Sequence, residues 1–319
     1  MTTTVTKSRL IEEIQEWKEK RNAIILAHNY EIPEVQDIAD VLGDSLMLAR
    51  AAAETKADVI VFCGVHFMAE TAAVLNPEKT VLLPDLEAGC SLADSITADQ
   101  LRDWKAEHPE AVVVAYVNTT AEVKALSDYC CTSSNAVDIV NSIPADQEIL
   151  FLPDMFLGTF VQKETGRENM HIWMGECHVH AGIRPEQVED VMTKHPDAEL
   201  LVHPECGCST SSMYLTAEGV LPQEKTHILS TGHMLKHAEN ATADEFIVAT
   251  EVGIIHQMQK KNPEKRFIAA NAEAICPFMK MITLGKVLAA LKENQHVITV
   301  PEETANQAKR AIERMIAIG

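Results

Sequence analysis

Apolar residues along this chain gather in short unbroken runs, separated by longer stretches in which they recur at helical spacing. The runs are 22–30 (NAIILAHNY), 57–64 (ADVIVFCG), 80–85 (TVLLPD), 111–118 (AVVVAYVN), 148–154 (EILFLPD), 171–176 (HIWMGE), 198–205 (AELLVHPE), 245–251 (EFIVATE) and 266–273 (RFIAANAE). A strand with one wet face alternates polar and apolar positions. A continuous apolar run suits a strand covered on both faces, as in a parallel sheet. Between the runs lie helical patterns such as 35–55 (VQDIADVLGDSLMLARAAAET). Alternation of this kind predicts an α/β architecture.

The nine runs form three groups of three. The first run of each group carries His28, Tyr116 and His203 at or near its end, 88 and 87 residues apart, with Tyr30, Asn118 and Glu205 two residues further on. Ser45 follows His28 by 17 residues and Ser133 follows Tyr116 by 17, whereas Thr231 follows His203 by 28. The third group therefore holds an insertion of about eleven residues, and CGCSTSSMYL lies in the enlarged segment. The third run of each group leads to a cysteine: Cys90, Cys177 and Cys276, 87 and 99 residues apart, the larger gap absorbing the same insertion. Repetition of a supersecondary unit at fixed period governs the fold. It predicts three similar α/β modules, 14–105, 106–192 and 193–291, flanked by helical segments 1–13 and 292–319. Terminal helices are expected over 7–21 and 301–317, the latter opening on Pro301, Glu302 and Glu303, which suit a helix start.

Ligands of open α/β sheets gather outside the carboxyl ends of the strands. If the modules pack around a pseudo-threefold axis with those ends inward, Cys90, Cys177 and Cys276 meet at one point. Three thiolates suit a soft metal. Structural zinc normally takes a fourth protein ligand, and an iron–sulfur cluster usually takes four cysteines. A [4Fe–4S] cluster on three would leave one iron open to act as a Lewis acid. The plain alternative is three core thiols in accidental register. Polar His28, Tyr116 and His203 would face the same cavity. Ser45, Ser133 and Thr231 read as N-caps, as anion donors at helix starts, or as both. In GECHVHAG, His180 is the candidate acid or base, and Glu205 the second proton-transfer group. Cys206 and Cys208 read as a peripheral redox pair or further ligands, and Cys63, Cys130 and Cys131 as packing.

Composition narrows the classes. Apolar residues make up 46% of 319, enough for real cores. The net charge of −20 argues against a nucleic-acid partner. The N-terminal stretch lacks a secretory h-region, and no apolar stretch is long enough to span a membrane, so a cytoplasmic protein is expected. In that compartment the eight cysteines are expected as thiols or metal ligands and not as disulfides.

The segments AHNY, GDS, FMAETA, YVNTTAEVKA, TSSNA, GECHVHAG, HPEC and CPFMKM, in order from about residue 20 to residue 285, resemble the quinolinate synthase family. The resemblance implies three α/β/α sandwich modules with parallel sheets around a pseudo-threefold axis. It implies a [4Fe–4S] cluster on Cys90, Cys177 and Cys276. The implied reaction is a transferase-type condensation of iminoaspartate, supplied by an aspartate-oxidising enzyme, with dihydroxyacetone phosphate. Quinolinate, phosphate and water result, on the route to NAD. Substrate contacts fall on His28, Ser45, Tyr116, Asn118, Ser133, His203, Glu205 and Thr231, and proton transfer on Tyr30, His180 and Glu205. Some members carry a C-x-x-C-x-x-C run at the last cysteine. Here those positions are Ala270 and Glu273, so no disulfide control is expected there. Two rival readings stay open: a zinc hydrolase built on Cys177, His178 and His180, and a non-catalytic iron–sulfur sensor.

Overall fold

A computed structural model describes the backbone of residues 2–319 and the side chains from Lys7 onward. Its strands are β1 (Ala23–His28), β2 (Val41–Gly43), β3 (Val59–Cys63), β4 (Thr80–Leu82), β5 (Val112–Tyr116), β6 (Tyr129–Cys131), β7 (Ile149–Leu152), β8 (Met170–Ile172), β9 (Glu199–Val202), β10 (Thr226–Ile228), β11 (Glu245–Ala249) and β12 (Arg266–Ala269). They form three four-stranded sheets, ordered β2-β1-β3-β4, β6-β5-β7-β8 and β10-β9-β11-β12. Every pairing within them is parallel. The fold is therefore α/β, built from three similar modules.

The edge strands β2, β6 and β10 are the part the apolar pattern does not announce. Each has three residues and is soon interrupted by polar Asp44, Thr132 or Ser230, whereas the equally short β4 and β8 are prolonged by apolar Leu83 and by Trp173 and Met174. Two are pinned by an aspartate just upstream. Asp40 Oδ2 accepts from Ile25 N at 2.8 Å and its own N–H donates to Ile25 O at 2.9 Å. Asp128 repeats the device with Val113, at 2.9 and 3.0 Å. The single helix expected over 35–55 is consequently broken into helix Pro33–Gln36, strand β2 and helix Ser45–Glu54. Asp44 caps the second helix, accepting from Met47 N at 2.9 Å.

Most strand residues are buried. The outer face of the first sheet (Ile25, Ala27, Val59, Val61) is covered by Ile14 of the N-terminal helix Thr2–Lys20 and by Val287, Leu288 and Leu291 of helix Leu284–Glu293. The largest apolar cluster joins the first two modules and continues into the third through Leu201, Phe246 and Val248. The C-terminal helix Glu302–Ala317 is clamped across the first two modules. Arg50 Nε donates to Ile316 O at 3.0 Å, and Asn135 Nδ2 donates to Met315 O and Ile318 O at 2.9 and 2.8 Å. No described helix is long and apolar enough to cross a membrane.

Candidate active site

Strand pairing places the repeat landmarks at equivalent positions. Ala27 pairs with Cys63, Ala115 with Leu152 and Val202 with Ala249. His28, Tyr116 and His203 are each the next residue along the central strand. Gly43 stands opposite His28, Cys131 opposite Tyr116, and Ile228 opposite Val202. Two residues beyond Gly43, Cys131 and Leu229 come Ser45, Ser133 and Thr231, so the insertion in the third module lies before β10. All six side chains line one cavity, together with Tyr30, Asn118, His180 and Glu205. Ser45 and Thr231 open helices without capping them. Asp44 and Ser230 are the caps, one residue earlier. Ser134 joins the three modules here, its hydroxyl lying 2.7 Å from Asp44 Oδ2 and 2.8 Å from Ser230 Oγ.

Cys90, Cys177 and Cys276 line the same cavity. Each precedes a short helical turn: Ala93–Ser95, His178–Ala181 and Met279–Met281. In each case the backbone N–H groups two and three residues on stabilise the thiolate: Leu92 and Ala93, Val179 and His180, Phe278 and Met279. Burial works against them and wins. It pushes Cys90 up to about 12, Cys177 well above its ordinary value and Cys276 upward. Thiols so placed ionise when a cationic centre takes the charge. Zinc would hold such sulfurs about 3.8 Å apart, from Zn–S bonds near 2.3 Å. Among the described residues, three side-chain triads bring their ligand atoms within 4.8 Å of one another, and none contains a cysteine. The three sulfurs therefore do not all lie within 4.8 Å of one another. In the C-H-x-H segment, His178 Nδ1 is turned to Ser91 Oγ at 2.6 Å.

Beside the thiols runs a buried hydrogen-bonded chain. The Tyr30 hydroxyl is 2.5 Å from Thr250 Oγ1, which is 2.9 Å from His180 Nε2. His180 Nδ1 is hydrogen-bonded to Cys177 Sγ at 3.4 Å, and Glu205 Oε2 lies 3.2 Å from the same nitrogen. His203 Nδ1 lies 3.4 Å from the same oxygen, and His203 Nε2 is 3.1 Å from Ser133 Oγ. The two strand-end histidines share a device that fixes their tautomer. Tyr30 N–H donates to His28 Nδ1 at 3.3 Å, and Glu205 N–H donates to His203 Nδ1 at 3.4 Å. Each neutral ring therefore carries its proton on Nε2. Burial keeps them neutral, taking His28 down to about 4, His180 to about 3 and His203 well below its ordinary value. It lifts Glu205 to about 7, against the pull of the Tyr116 hydroxyl. Asn118 Nδ2 reaches Glu205 Oε1 at 3.5 Å.

Sequence reasoning missed several groups here. Thr250 and Glu251 end the apolar run 245–251, and polarity at the end of a buried strand was the available signal. Glu251 Oε1 accepts from Cys276 N at 3.1 Å and lies 2.8 Å from Lys280 Nζ, while its Oε2 accepts from Gly253 N at 2.7 Å. Lys280 also donates to Tyr30 O. Glu31, fully buried, has no hydrogen-bond partner at either carboxylate oxygen, and burial raises it well above the ordinary range. Lys124 is also fully buried, donating to Thr119 O with its charge over the Phe67 ring.

Cys206 and Cys208 are joined in a disulfide, which departs from the general expectation of thiols or metal ligands and matches the redox-pair reading of the two. Gly207 between them brings their α-carbons to 5.1 Å, within bonding range. A side chain at Gly207 would place its Cβ 2.8 Å from Ala181 O, so only glycine fits. The pair lies in the core of the third module and does not line the cavity. Cys63, Cys130 and Cys131 are buried in the apolar clusters. Among the described residues lining the cavity, none comes from the C-terminal helix.

Comparison with known proteins shows which family the chain resembles along nearly its whole length. Residues 12–317 match the family described as Quinolinate synthetase A protein. A quinolinate synthase of Mycobacterium sp. strain KMS is 59% identical over 307 residues, covering 96% of this chain and 91% of that protein. One from Thermus thermophilus is 57% identical over 310 residues, 97% of each chain. One from Mycobacterium tuberculosis is 57% identical over 311 residues, 98% of this chain and 89% of its own. The chain belongs to the quinolinate synthase family, enzymes of NAD biosynthesis.

Proposed function

We propose that this chain condenses iminoaspartate with dihydroxyacetone phosphate to quinolinate, losing phosphate and water, in the cytoplasm. An aspartate-oxidising enzyme is the supplier of iminoaspartate. Cys90, Cys177 and Cys276 would hold a [4Fe–4S] cluster. The observation that carries the reading is the threefold repetition at the thiols: one cysteine per module, each with two backbone N–H groups at the same offsets. When bound, the cluster supplies a Lewis acid at the iron that no cysteine holds.

The chain's own residues do the rest. Both substrates are anionic and the protein carries −20, so attraction must be local. Ser45, Ser133, Thr231 and Asn118 offer short donors for carboxylate and phosphate oxygens. The Nε2–H groups of His28 and His203 add two more. Ring closure takes protons from carbon and nitrogen and delivers them to departing oxygen. Glu205, at about 7, both accepts and returns a proton near neutral pH. His180 passes it toward Thr250 and Tyr30, whose phenol stays protonated because burial raises it well above its ordinary value.

Anaerobic purification, with iron and acid-labile sulfide analysis and a quinolinate assay, tests this. Iron and sulfide near four per chain are expected, about the content of one cluster. Cys177→Ala should lose the visible absorbance and the activity. Zinc without sulfide, or a Cys177→Ala protein that keeps its absorbance, overturns the assignment.

A further inference from the structure

Away from the cavity, the third module departs from the other two at three positions that touch. Glu199 opens the central strand β9, His227 lies in the edge strand β10, and His237 is in the last turn of helix Thr231–Asn240. Strand register gives their counterparts. In the first module these are Ile24, Val41 and Ala51, and in the second Val112, Tyr129 and Ile139. Where the other modules pack apolar or aromatic side chains between central strand, edge strand and helix, the third carries a carboxylate and two imidazoles. Half-buried polar groups cost free energy unless something satisfies them together.

The geometry points to a divalent transition-metal site of the zinc class formed by Glu199, His227 and His237. Glu199 Oε2 lies 2.6 Å from His237 Nε2 and 3.3 Å from His227 Nε2. The three ligand atoms fall within 4.8 Å of one another. The imidazoles face each other with centroids 4.1 Å apart. His237 Nε2 is hydrogen-bonded to the carboxylate, but His227 Nε2 is buried with no hydrogen-bond partner. That nitrogen lies 3.3 Å from the oxygen its neighbour already uses, without the geometry of a hydrogen bond. A metal ion among the three satisfies all of them, with water as fourth ligand on the solvent side. The similar group His108, Glu148 and His171 lacks this feature. Both of its imidazoles hydrogen-bond Glu148 Oε1, at 2.8 and 2.6 Å, and an ion-pair clamp accounts for them.

The ion would tie the edge strand to the helix that begins at Thr231. His237 lies six residues along that helix, about 9 Å from its cavity end at 1.5 Å per residue. The site is structural, steadying the segment that follows the third-module insertion.

The test is zinc titration of the anaerobically purified whole protein, by calorimetry, with thermal unfolding in parallel. Wild type is compared with His227→Gln, with His237→Gln and with the triple variant Glu199→Val, His227→Tyr, His237→Ile. Wild type should bind one more equivalent of zinc than each variant, or bind it at least about tenfold tighter. Zinc should raise its Tm and leave theirs unmoved. The triple variant installs the residues that already pack in the second module, so it serves if a single variant does not fold. Equal zinc uptake by wild type and folded variants overturns the site, as does loss of that equivalent in His171→Gln instead.

Discussion

Replacing Thr250 by valine removes one hydroxyl and leaves shape and volume nearly unchanged, which makes it a sharp probe of the buried proton chain. Two hydrogen bonds vanish, the 2.5 Å contact with Tyr30 and the 2.9 Å contact with His180. A buried hydrogen bond is worth about 1 kcal/mol net, and a buried group left unpaired costs about 1–3 kcal/mol. Part of this is recovered, because the Tyr30 hydroxyl and His180 Nε2 lie only 3.3 Å apart and can pair directly. The expected loss is therefore about 1–3 kcal/mol. If the chain carries a proton in the rate-limiting step, kcat falls on the order of 10- to 100-fold. The assay is anaerobic quinolinate formation with iminoaspartate generated in situ, normalised to visible absorbance, with circular dichroism to check folding. Thr250→Ser keeps the hydroxyl and should restore most of the rate. A double-mutant cycle with Tyr30→Phe should show coupling of about 0.5–3 kcal/mol. A Thr250→Val enzyme within about twofold of wild-type kcat, additive with Tyr30→Phe, refutes the chain as a proton path.

Three further outcomes follow. Because burial lifts Glu205 from 4.5 to about 7, the native state binds the extra proton between those values. Stability therefore falls as pH rises through that window, by up to about 3 kcal/mol. Glu205→Gln should flatten that fall in denaturant titrations from pH 4.5 to 8 and remove the limb near neutral pH from the kcat/KM profile. An unchanged pH dependence counts against a protonated Glu205. Cys90→Ala and Cys276→Ala should match Cys177→Ala in losing visible absorbance, whereas Cys63→Ala and Cys131→Ala should retain it; a retained chromophore in Cys276→Ala removes that thiol from the ligand set. Asn135→Ala breaks both bonds to the C-terminal helix, costs about 2 kcal/mol, and should speed proteolysis after residue 300. Equal cleavage rates would show that other contacts hold the helix.

What the sequence disclosed follows from how much repetition it contained. His28, Tyr116 and His203 were legible because each is a polar residue at the end of an apolar run, recurring at one spacing. Thr231 was legible only by assuming an insertion, and the pairing of β10 with β9 supplies the register that spacing alone could not. Thr250 was missed because its counterparts are Gly64 and Pro153, so no repeated polar position drew attention to it. The edge strands β2, β6 and β10 were missed because no apolar neighbours prolong them, as Leu83 does β4 and Trp173 does β8, and β2 hid inside a plausible helix. Lys124 was invisible for a different reason. A lysine in AEVKA reads as solvent-facing, and only tertiary packing buries it.

Threefold construction solves one chemical problem and creates another. Three copies of a strand–loop–turn unit deliver three equivalent thiols, each with the same two backbone donors, and no copy supplies a fourth. A symmetric cavity cannot by itself tell a leaving oxygen from an attacking carbon, so the acid–base machinery has to break the symmetry. On the proposed reading it does so at positions the repeat leaves free. One residue past the third strand of each module (β3, β7 and β11) stand Gly64, Pro153 and Thr250, and only the last has a hydroxyl. One further stand Val65, Asp154 and Glu251. Val65 lines the cavity, Asp154 caps helix Met155–Thr165, and Glu251 accepts from the backbone of Cys276. Two residues past the central-strand landmark stand Tyr30, Asn118 and Glu205. The phenol and the carboxylate lie at the two ends of the Thr250–His180 link, and Asn118 reaches the carboxylate from outside it. On the proposed reading, metal ligation would rest on what the modules share and proton transfer on where they differ. Exchanging equivalent residues between modules, as in Thr250→Gly, should therefore lower kcat at least as far as Thr250→Val does, on the order of 10- to 100-fold, while leaving the visible absorbance of the proposed cluster unchanged.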